Sequence, residues 1–341
     1  MNKTTKEKQH TVPQFILRNF SIKNRLYTYD KYTGKIYCSN VANSGCERSF
    51  YDFEIKTNDK LIKGTIEEKL CEIEYKASSV IRKILDGDTV VNITDKEKND
   101  IVYFLAVQMV RTPNVKHNYK SMPEQLRNAI RKRMPNLGEG DILDEKLPNF
   151  DDSDFNLFFD MLIADSTERL RGYFDNLEWI LVKTDEMNPF LIGDSPVVVY
   201  NELYHDEKES LFFSKYSIAY KGCCIFFPIT PTRALWLVDP EVIDKYAKLT
   251  KTYLSLIFLG IKSAKDLEKV GMKIKYLLDR EFGLTKTKVF VFSTDDVTRY
   301  NYYQIISAER KVFSKFSDFK QAEEIIKSNE FYKHGKRMMC Y

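Results

Sequence analysis

The stretch IVYFLAVQMV, residues 101–110, constrains the fold of this chain more than any other feature. It carries apolar side chains on every side of a helix, with Tyr103 and Gln108 as the exceptions. A helix that is apolar all round is buried, so other elements must cover this one on several sides. Thr94 or the residue after it is a suitable N-cap for the helix, and Pro113 stops it.

Other helical patterns lie on both sides of this stretch. In residues 65–87 apolar side chains recur every three or four positions, which is the spacing of one helix face. Residues 121–136 are typical of a short basic helix, and residues 154–176 of a third long helix. Strand patterns come from a hairpin, RLYTYDKYTGKIYCSN at residues 25–40, and from short apolar runs after residue 177.

We therefore predict an α+β fold in which a helical N-terminal half packs on a mixed, largely antiparallel sheet region. An acidic loop with Gly and Pro, residues 137–154, is the best candidate for a domain boundary. It separates an N-terminal segment with a hairpin and a helical region, residues 1–140, from a mixed α/β region, residues 150–341. One continuous large domain is the alternative, because 341 residues correspond to about two domains or one large one.

Composition limits the class of protein. The formal net charge of +4, from 53 basic and 49 acidic side chains, is too balanced to indicate a nucleic-acid-binding protein by itself. No apolar run approaches the roughly 18 residues that span a bilayer, and no secretory signal is recognised. The six Cys residues form no C-x-x-C pair, which fits free thiols in a reducing compartment. We expect a cytoplasmic protein without membrane contact; a partner protein or a homo-oligomer stays open.

The most specific polar signal lies inside the apolar helix. Gln108 and Arg111 are three residues apart and share one face of a helix that should be buried. A buried Arg keeps its charge and needs an acceptor, and Glu74 on the preceding helix is the expected one if the two helices pack antiparallel. This pair is either a buried ion pair that fixes helix register or part of a polar pocket. In the pocket, Gln108 and Arg111 bind an anion and Glu74 acts as a base or a metal ligand.

A second polar signal lies at the start of the chain, in QHTVPQFILRNFS, residues 9–21. If the residues after Pro13 are helical, Gln14 and Arg18 are one turn apart and share a face, with His10 just before the turn. His10 would exchange a proton near neutral pH, and Arg18 and Gln14 would bind a phosphate oxygen. This combination suits phosphodiester cleavage without a metal. The alternative is that His10 caps or packs locally.

Two further segments carry weaker signals. Asp194, in LIGDSPVVVY, either closes a turn on its own backbone or leaves a strand end as a catalytic carboxylate. A basic patch on residues 127–133, together with Lys116 and Lys120, either contacts phosphates or is a solvated helix face. The chain has no Walker motif, no G-x-G-x-x-G, no zinc-ligand spacing and no H-E-x-x-H, which disfavours the common nucleotide-binding folds and zinc enzymes. No cofactor is identified, so Mg²⁺ and a metal-free site are both open.

Four of these blocks together resemble a known family. QHTVPQFILRNFS, QMVRTP, LIGDSPVVVY and FFPITPTRALWLV are similar to the marks of the bacterial family called domain of unknown function 4238. The resemblance covers most of the chain, from Gln9 to the C-terminal helix, and His-x-x-Pro-Gln-Phe-x-Leu-Arg-x-Phe is its most specific part. The resemblance implies no established activity, and the general character of the family suggests a role in bacterial defence.

These signals lead to two functional hypotheses and one structural hypothesis. In the first, the protein is a nuclease-like, phosphodiester-cleaving effector of antiphage defence that acts on nucleic acid or a nucleotide. Its site would unite the catalytic side chains His10, Glu74 and Asp194 with the binding side chains Gln14, Arg18, Gln108 and Arg111. In the second, a non-catalytic sensor or interaction protein binds an anionic ligand in the same pocket. In the third, these polar side chains only stabilise a large core.

Overall fold

The computed structural model describes residues 8–56, 61–134, 145–203, 220–261 and 288–335. The helices are α1 (Gln14–Asn19), α2 (Glu67–Gly87), α3 (Asp95–Val110), α4 (Pro113–Arg133), α5 (Asp152–Asp175), α6 (Pro240–Phe258), α7 (Thr294–Ser307) and α8 (Lys320–Ser328). The strands are β1 (Lys8–His10), β2 (Arg25–Asp30), β3 (Lys35–Asn40), β4 (Cys46–Arg48), β5 (Asp52–Lys56), β6 (Leu61–Thr65), β7 (Glu178–Lys183), β8 (Ile192–Gly193), β9 (Val198–Asn201), β10 (Cys223–Thr230), β11 (Arg233–Val238), β12 (Val289–Val291) and β13 (Lys311–Ser314).

Apolar strands from the second part of the chain form a five-stranded sheet in the order β12-β7-β11-β10-β9. β12 runs parallel to β7, and the other neighbours are antiparallel. β10 is buried except at its last residue, as expected of a strand covered on both faces. Because successive side chains point to opposite faces, Phe226 and Phe227 belong to two different core clusters. The sheet therefore separates two cores.

The apolar helix α3 covers one face of this sheet, and its predicted burial is confirmed. Thr94, one of the two predicted N-caps, caps the helix and forms a capping box with Glu97. The ring of Phe104 contacts Phe15 in α1 and Phe227 in β10, with centroids 5.8 Å apart in each pair. α3 is thus enclosed between the N-terminal segment and the sheet, which explains its apolar character on nearly every side.

The predicted N-terminal hairpin is confirmed. β2 and β3 pair antiparallel, and Gly34 in the turn between them has a φ of +67°. β13 joins this hairpin from the far end of the sequence, and β8 completes a four-stranded sheet in the order β3-β2-β13-β8. Two smaller antiparallel pairs, β1 with β4 and β5 with β6, lie in the same part of the chain.

The prediction of a helical N-terminal half packed on a sheet region is wrong, although the α+β class is correct. β1–β6 precede the first long helix, α6 follows β11, and α7 and α8 follow β12, so helices are spread along the sequence. The strands β1, β4, β5 and β6 have only three to five residues. Such segments are too short to show a clear alternation of apolar and polar side chains, so their pairing partners define them.

The predicted domain boundary between residues 140 and 150 falls partly outside the described ranges. The largest core cluster joins side chains from both sides of that boundary, among them Phe104, Phe159, Phe227 and Phe313. The division into two domains stays a prediction.

The cysteines at positions 38, 46, 223 and 224 are free thiols, and Cys340 lies outside the described residues. Cys223 and Cys224 are buried in β10, as expected. Burial raises the pKa of the Cys223 thiol to about 12, so this thiol is protonated at neutral pH. Among the described helices, none combines the length and the apolar character needed to cross a membrane.

Candidate functional site

The N-terminal segment that carries His10 and Arg18 is docked on the core. Four of its apolar side chains have no exposed surface: Val12, Ile16, Leu17 and Phe20. The backbone N–H groups of Thr11 and Val12 donate to the carbonyl oxygen of Gly45 at 2.8 and 3.2 Å. Burial of these side chains explains why a segment so close to the start of the sequence is ordered.

Gln108 and Arg111 fasten this segment through its backbone, and we call them the carbonyl clamp. Gln108 donates from Nε2 to the carbonyl oxygen of Thr11 at 2.8 Å. Arg111 donates from Nε to the same oxygen at 3.4 Å and from Nη2 to the carbonyl oxygen of His10 at 3.2 Å. Tyr51 donates its hydroxyl to the His10 carbonyl as well, at 2.9 Å. The clamp therefore supplies donors to two backbone carbonyl oxygens, of which that of His10 also accepts from Tyr51.

The predicted contact between Glu74 and Arg111 is present. Glu74 Oε1 lies 2.7 Å from Arg111 Nη2, and the two side chains are 24% and 2% exposed. The Tyr51 ring lies beneath the guanidinium, 5.9 Å from its carbon. Burial raises the pKa of Tyr51, and the positive charge of Arg111 opposes this effect. This is the geometry of an ion pair that fixes α2 against α3; a role for Glu74 as a base stays a prediction.

His10 at the end of β1 forms a row with Gln14 and Arg18 of α1. Gln14 Nε2 lies 3.4 Å from His10 Nδ1, and Arg18 donates from Nη2 to Gln14 Oε1 at 3.0 Å. The predicted sharing of one helix face by Gln14 and Arg18 is therefore confirmed. Arg18 is exposed and His10 is half-buried. The expected proton exchange by His10 and phosphate binding by the row stay predictions.

Asp194 binds a turn from the far end of the sequence, the one that connects α7 to β13. Its Oδ1 accepts the backbone N–H of Glu309 at 2.6 Å, and its Oδ2 accepts those of Arg310 and Lys311 at 2.9 and 2.8 Å. Burial raises the pKa of Asp194, while the three N–H groups and the Lys31 ammonium favour its charged form. Protein donors thus occupy both carboxylate oxygens, and the catalytic role of Asp194 stays a prediction.

Lys31 holds the same turn from the other side, and sequence reasoning missed it. Its side chain is buried, and its Nζ donates to the carbonyl oxygens of Ile305 and Ala308 at 2.8 and 2.5 Å. These carbonyls lie at the C-terminal end of α7, where a cation is favourable. A lysine in a hairpin turn is ordinarily exposed, so its position in the sequence carries no sign of this burial.

An open cleft of about 740 Å³ lies beside this turn. Its walls come from the segment around Thr11, from β4, from the start of α4, from the first residue of α5 and from residues 309–311. Besides Asp194, its titratable lining includes Glu47, Arg48, Lys116, His117, Lys120 and Asp152. Since the carbonyl clamp holds Thr11, it also supports one wall of the cleft.

Two lysines share one carboxylate in this cleft, and we call Lys116, Lys120 and Asp152 the lysine–aspartate triad. Lys120 Nζ lies 2.7 Å from Asp152 Oδ1, and Lys116 Nζ lies 3.4 Å from Asp152 Oδ2. The Lys116 side chain is only 9% exposed, and its Nζ also donates to the carbonyl oxygen of Phe50 at 2.9 Å. Burial lowers the pKa of Lys116, and the Asp152 carboxylate opposes this effect. The triad therefore carries one more positive than negative charge.

Further charges reach the cleft from β4 and β13. Glu47 is exposed at the cleft wall, yet the loss of surrounding water and the nearby Asp194 carboxylate raise its pKa above the usual 4.5. The positive charges of Lys311 and Lys116 oppose this rise. In the part of the chain that the structure describes, Arg48 and Lys311 take part in no ion pair.

The seven predicted site residues fall into three places. Glu74 lies with the carbonyl clamp, Gln108 and Arg111, and His10 lies in a row with Gln14 and Arg18. All seven residues are within the described ranges, and Asp194 is the one among them that lines the cleft. Lys116 and Lys120 were identified from the sequence only as part of a basic patch, whereas Glu47 and Arg48 lie in a three-residue strand without any pattern. No group of three or more His, Cys, Asp or Glu within the described ranges is arranged to hold a metal ion.

Comparison with curated proteins and with solved structures gave no match. A family model with the description "Protein of unknown function (DUF4238)" matches residues 8–318. The match includes the docked N-terminal segment, the carbonyl clamp and the residues of the cleft. The resemblance predicted from the sequence is confirmed, and the chain belongs to the DUF4238 family of proteins of unknown function.

Proposed function

We propose that the cleft binds a phosphate-bearing ligand, either a nucleotide or a nucleic acid strand. The observation that carries this proposal is the pair Lys116 and Lys120, two cations that face a single carboxylate, that of Asp152, in an open cleft. Ammonium groups bind phosphate oxygens through charge-assisted hydrogen bonds. A phosphate would supply the negative charge that the triad lacks.

The remaining charges of the cleft also support an anionic ligand. Asp194 is occupied by the backbone N–H groups of residues 309–311. Glu309 accepts from the Tyr32 hydroxyl at 2.6 Å and from a backbone N–H at 3.1 Å. Glu47 is then the remaining carboxylate of the cleft lining, and the positive charges of Lys311 and Lys116 act on it, while Arg48 adds a further cation to the lining. A volume of about 740 Å³ is within the range of pockets that enclose small molecules, on the order of 300–1,000 Å³.

We expect Lys120→Ala to weaken ligand binding by roughly 10- to 150-fold, since one charge-assisted contact contributes roughly 1.5–3 kcal/mol. Lys120 is the better lysine to change, because its side chain is 42% exposed, whereas Lys116 is packed against Phe50. Calorimetry with ATP and fluorescence anisotropy with labelled single-stranded RNA and DNA would measure the affinities. For the RNA and DNA probes, the slope of log affinity against log salt concentration should also be smaller in magnitude by about one in Lys120→Ala.

Lys96→Ala is the control, because Lys96 is an exposed helical lysine that lies outside both the cleft and the basic patch of residues 127–133. It should bind like the wild-type protein. Equal losses in Lys96→Ala and Lys120→Ala, or a wild-type protein that binds none of these probes, would contradict the proposal.

A second, narrower proposal is that the cleft cleaves a phosphodiester bond. It is supported by Glu47, a carboxylate with a raised pKa among cations, and by His117 in the same lining. Glu47 would accept a proton from the attacking water or ribose hydroxyl, and His117 would protonate the leaving oxygen. The antiphage effector role that the family resemblance suggests depends on this activity.

We expect Glu47→Gln to lower the cleavage rate about 100-fold without weakening ligand binding, since a general base contributes roughly that much or more. Because the pKa of Glu47 is raised, the rate of the wild-type protein should still be rising with pH above 4.5. Labelled RNA, single-stranded DNA and duplex DNA, each incubated with Mg²⁺, with Mn²⁺ and with EDTA, would show the cleavage. Glu54→Gln, an exposed glutamate paired with Lys63, is the control. No cleavage of any substrate would remove this second proposal and leave the binding proposal standing.

A further inference from the structure

We propose that Asp152 is a built-in competitor for the ligand phosphate, which keeps Lys120 occupied until a ligand displaces the carboxylate. The inference rests on the proposed binding function and deepens it, since it concerns how the same cleft is regulated. Asp152 Oδ1 lies 2.7 Å from Lys120 Nζ, and Oδ2 lies 3.4 Å from Lys116 Nζ. A carboxylate offers the lysines anionic oxygens as a phosphate does, so the two compete for the same donors.

The start of α5 does not depend on the Asp152 side chain. Asp151 is the N-cap of this helix, and its Oδ1 accepts the N–H of Asp154 at 2.9 Å. Asp154 returns the bond, because its Oδ2 accepts the N–H of Asp151 at 2.9 Å. The Asp152 side chain is 58% exposed at the cleft. It can therefore turn away from the lysines while the helix keeps its capping box.

Lys116 is held more firmly than Lys120, and this difference determines which lysine a phosphate contacts first. Lys116 is fixed by the carbonyl oxygen of Phe50 and lies 4.3 Å from the centroid of the Phe50 ring. Lys120 is 42% exposed, and its 2.7 Å contact with Asp152 is the closer of the two ion pairs. An incoming phosphate would replace Asp152 on Lys120 first, and Lys116 would then be the fixed second cation.

The charge state of Asp152 fits this role. Burial works against its ionised form, but the hydrogen bond and charge of Lys120 and the charge of Lys116 lower the pKa of Asp152 below its usual value. The carboxylate is therefore charged, and the competitor is present, throughout the neutral pH range. Removing this charge while keeping the size of the side chain is the direct test.

Calorimetric titration of the full chain with sodium pyrophosphate provides this test. We expect Asp152→Asn to bind pyrophosphate about tenfold more tightly than the wild-type protein, because no ion pair has to be broken first. Asp160→Asn is the matched control: Asp160 lies on the same helix, and its Oδ1 is 2.5 Å from Lys69 Nζ, outside the cleft. The control should leave the affinity unchanged. The double variant Asp152→Asn with Lys120→Ala should lose the gain, because the freed cation is absent.

Each outcome decides the inference. Binding by Asp152→Asn alone, with none by the wild-type protein, supports it in its strongest form. Equal or weaker binding by a folded Asp152→Asn overturns it and leaves the binding function intact if the wild-type protein binds. Absence of binding in both proteins overturns the binding function and the inference together. Asp152→Ser, which also suits the first turn of a helix, replaces Asp152→Asn if circular dichroism shows that the latter is unfolded.

Discussion

Arg111→Ala should lower the free energy of unfolding by about 3–5 kcal/mol, the range found when one partner of a buried ion pair is removed. The change takes away the donors to the carbonyl oxygens of His10 and Thr11 and leaves the Glu74 carboxylate without its cation. It also opens a gap above Tyr51, whose ring lies 5.9 Å from the guanidinium carbon. Urea titration followed by tryptophan fluorescence would measure the loss.

Two variants show whether the effect comes from the clamp itself. Arg111→Lys keeps the charge but lacks the planar guanidinium that reaches both carbonyls. Its free energy of unfolding should therefore lie between those of the wild-type protein and Arg111→Ala. Arg82→Ala removes an exposed arginine of α2 and should change stability by less than about 0.5 kcal/mol. A loss below about 1 kcal/mol in Arg111→Ala would mean that the N-terminal segment is held without the clamp, contrary to the structure.

The carbonyl clamp shows how far periodicity can predict this fold. Gln108 and Arg111 stood out because a polar pair on the face of an otherwise apolar helix requires partners. Glu74 could be named because α2 and α3 are neighbours along the chain and local packing is the simplest arrangement. The carbonyl oxygens of His10 and Thr11 could not be named, because every residue has one and the sequence does not mark which of them are buried.

The cleft could not be predicted, because its walls are brought together by contacts between distant segments. Glu47 faces the cleft only because β4 pairs with β1, and a three-residue strand leaves no readable pattern. Lys116 and Lys120 were visible as part of a basic patch, but their shared carboxylate, Asp152, belongs to another helix. Lys311 enters through β13, which pairs with the N-terminal hairpin. Local propensity carries none of this information.

Asp194→Ala should lower the free energy of unfolding by roughly 3–5 kcal/mol, since each buried N–H group left without an acceptor costs about 1–3 kcal/mol. Three N–H groups depend on this carboxylate: that of Glu309 is buried, and those of Arg310 and Lys311 are partly buried. The free energy of unfolding of Asp194→Asn should lie between those of the wild-type protein and Asp194→Ala. Its amide oxygen can accept some of these hydrogen bonds, whereas its NH₂ group faces another donor. Thermal and urea unfolding would rank the three proteins.

Asp185→Ala provides the comparison that separates burial from the hydrogen bonds themselves. Asp185 Oδ1 also accepts two backbone N–H groups, those of Met187 and Asn188 at 2.9 and 3.0 Å, but in an exposed turn where water can replace it. Asp185→Ala should lower the free energy of unfolding by about 1 kcal/mol or less.

Because the turn held by Asp194 also carries Lys311 into the cleft, Asp194→Ala should lose stability and ligand affinity together. Unchanged stability with loss of cleavage would instead identify Asp194 as the catalytic carboxylate that the sequence first suggested.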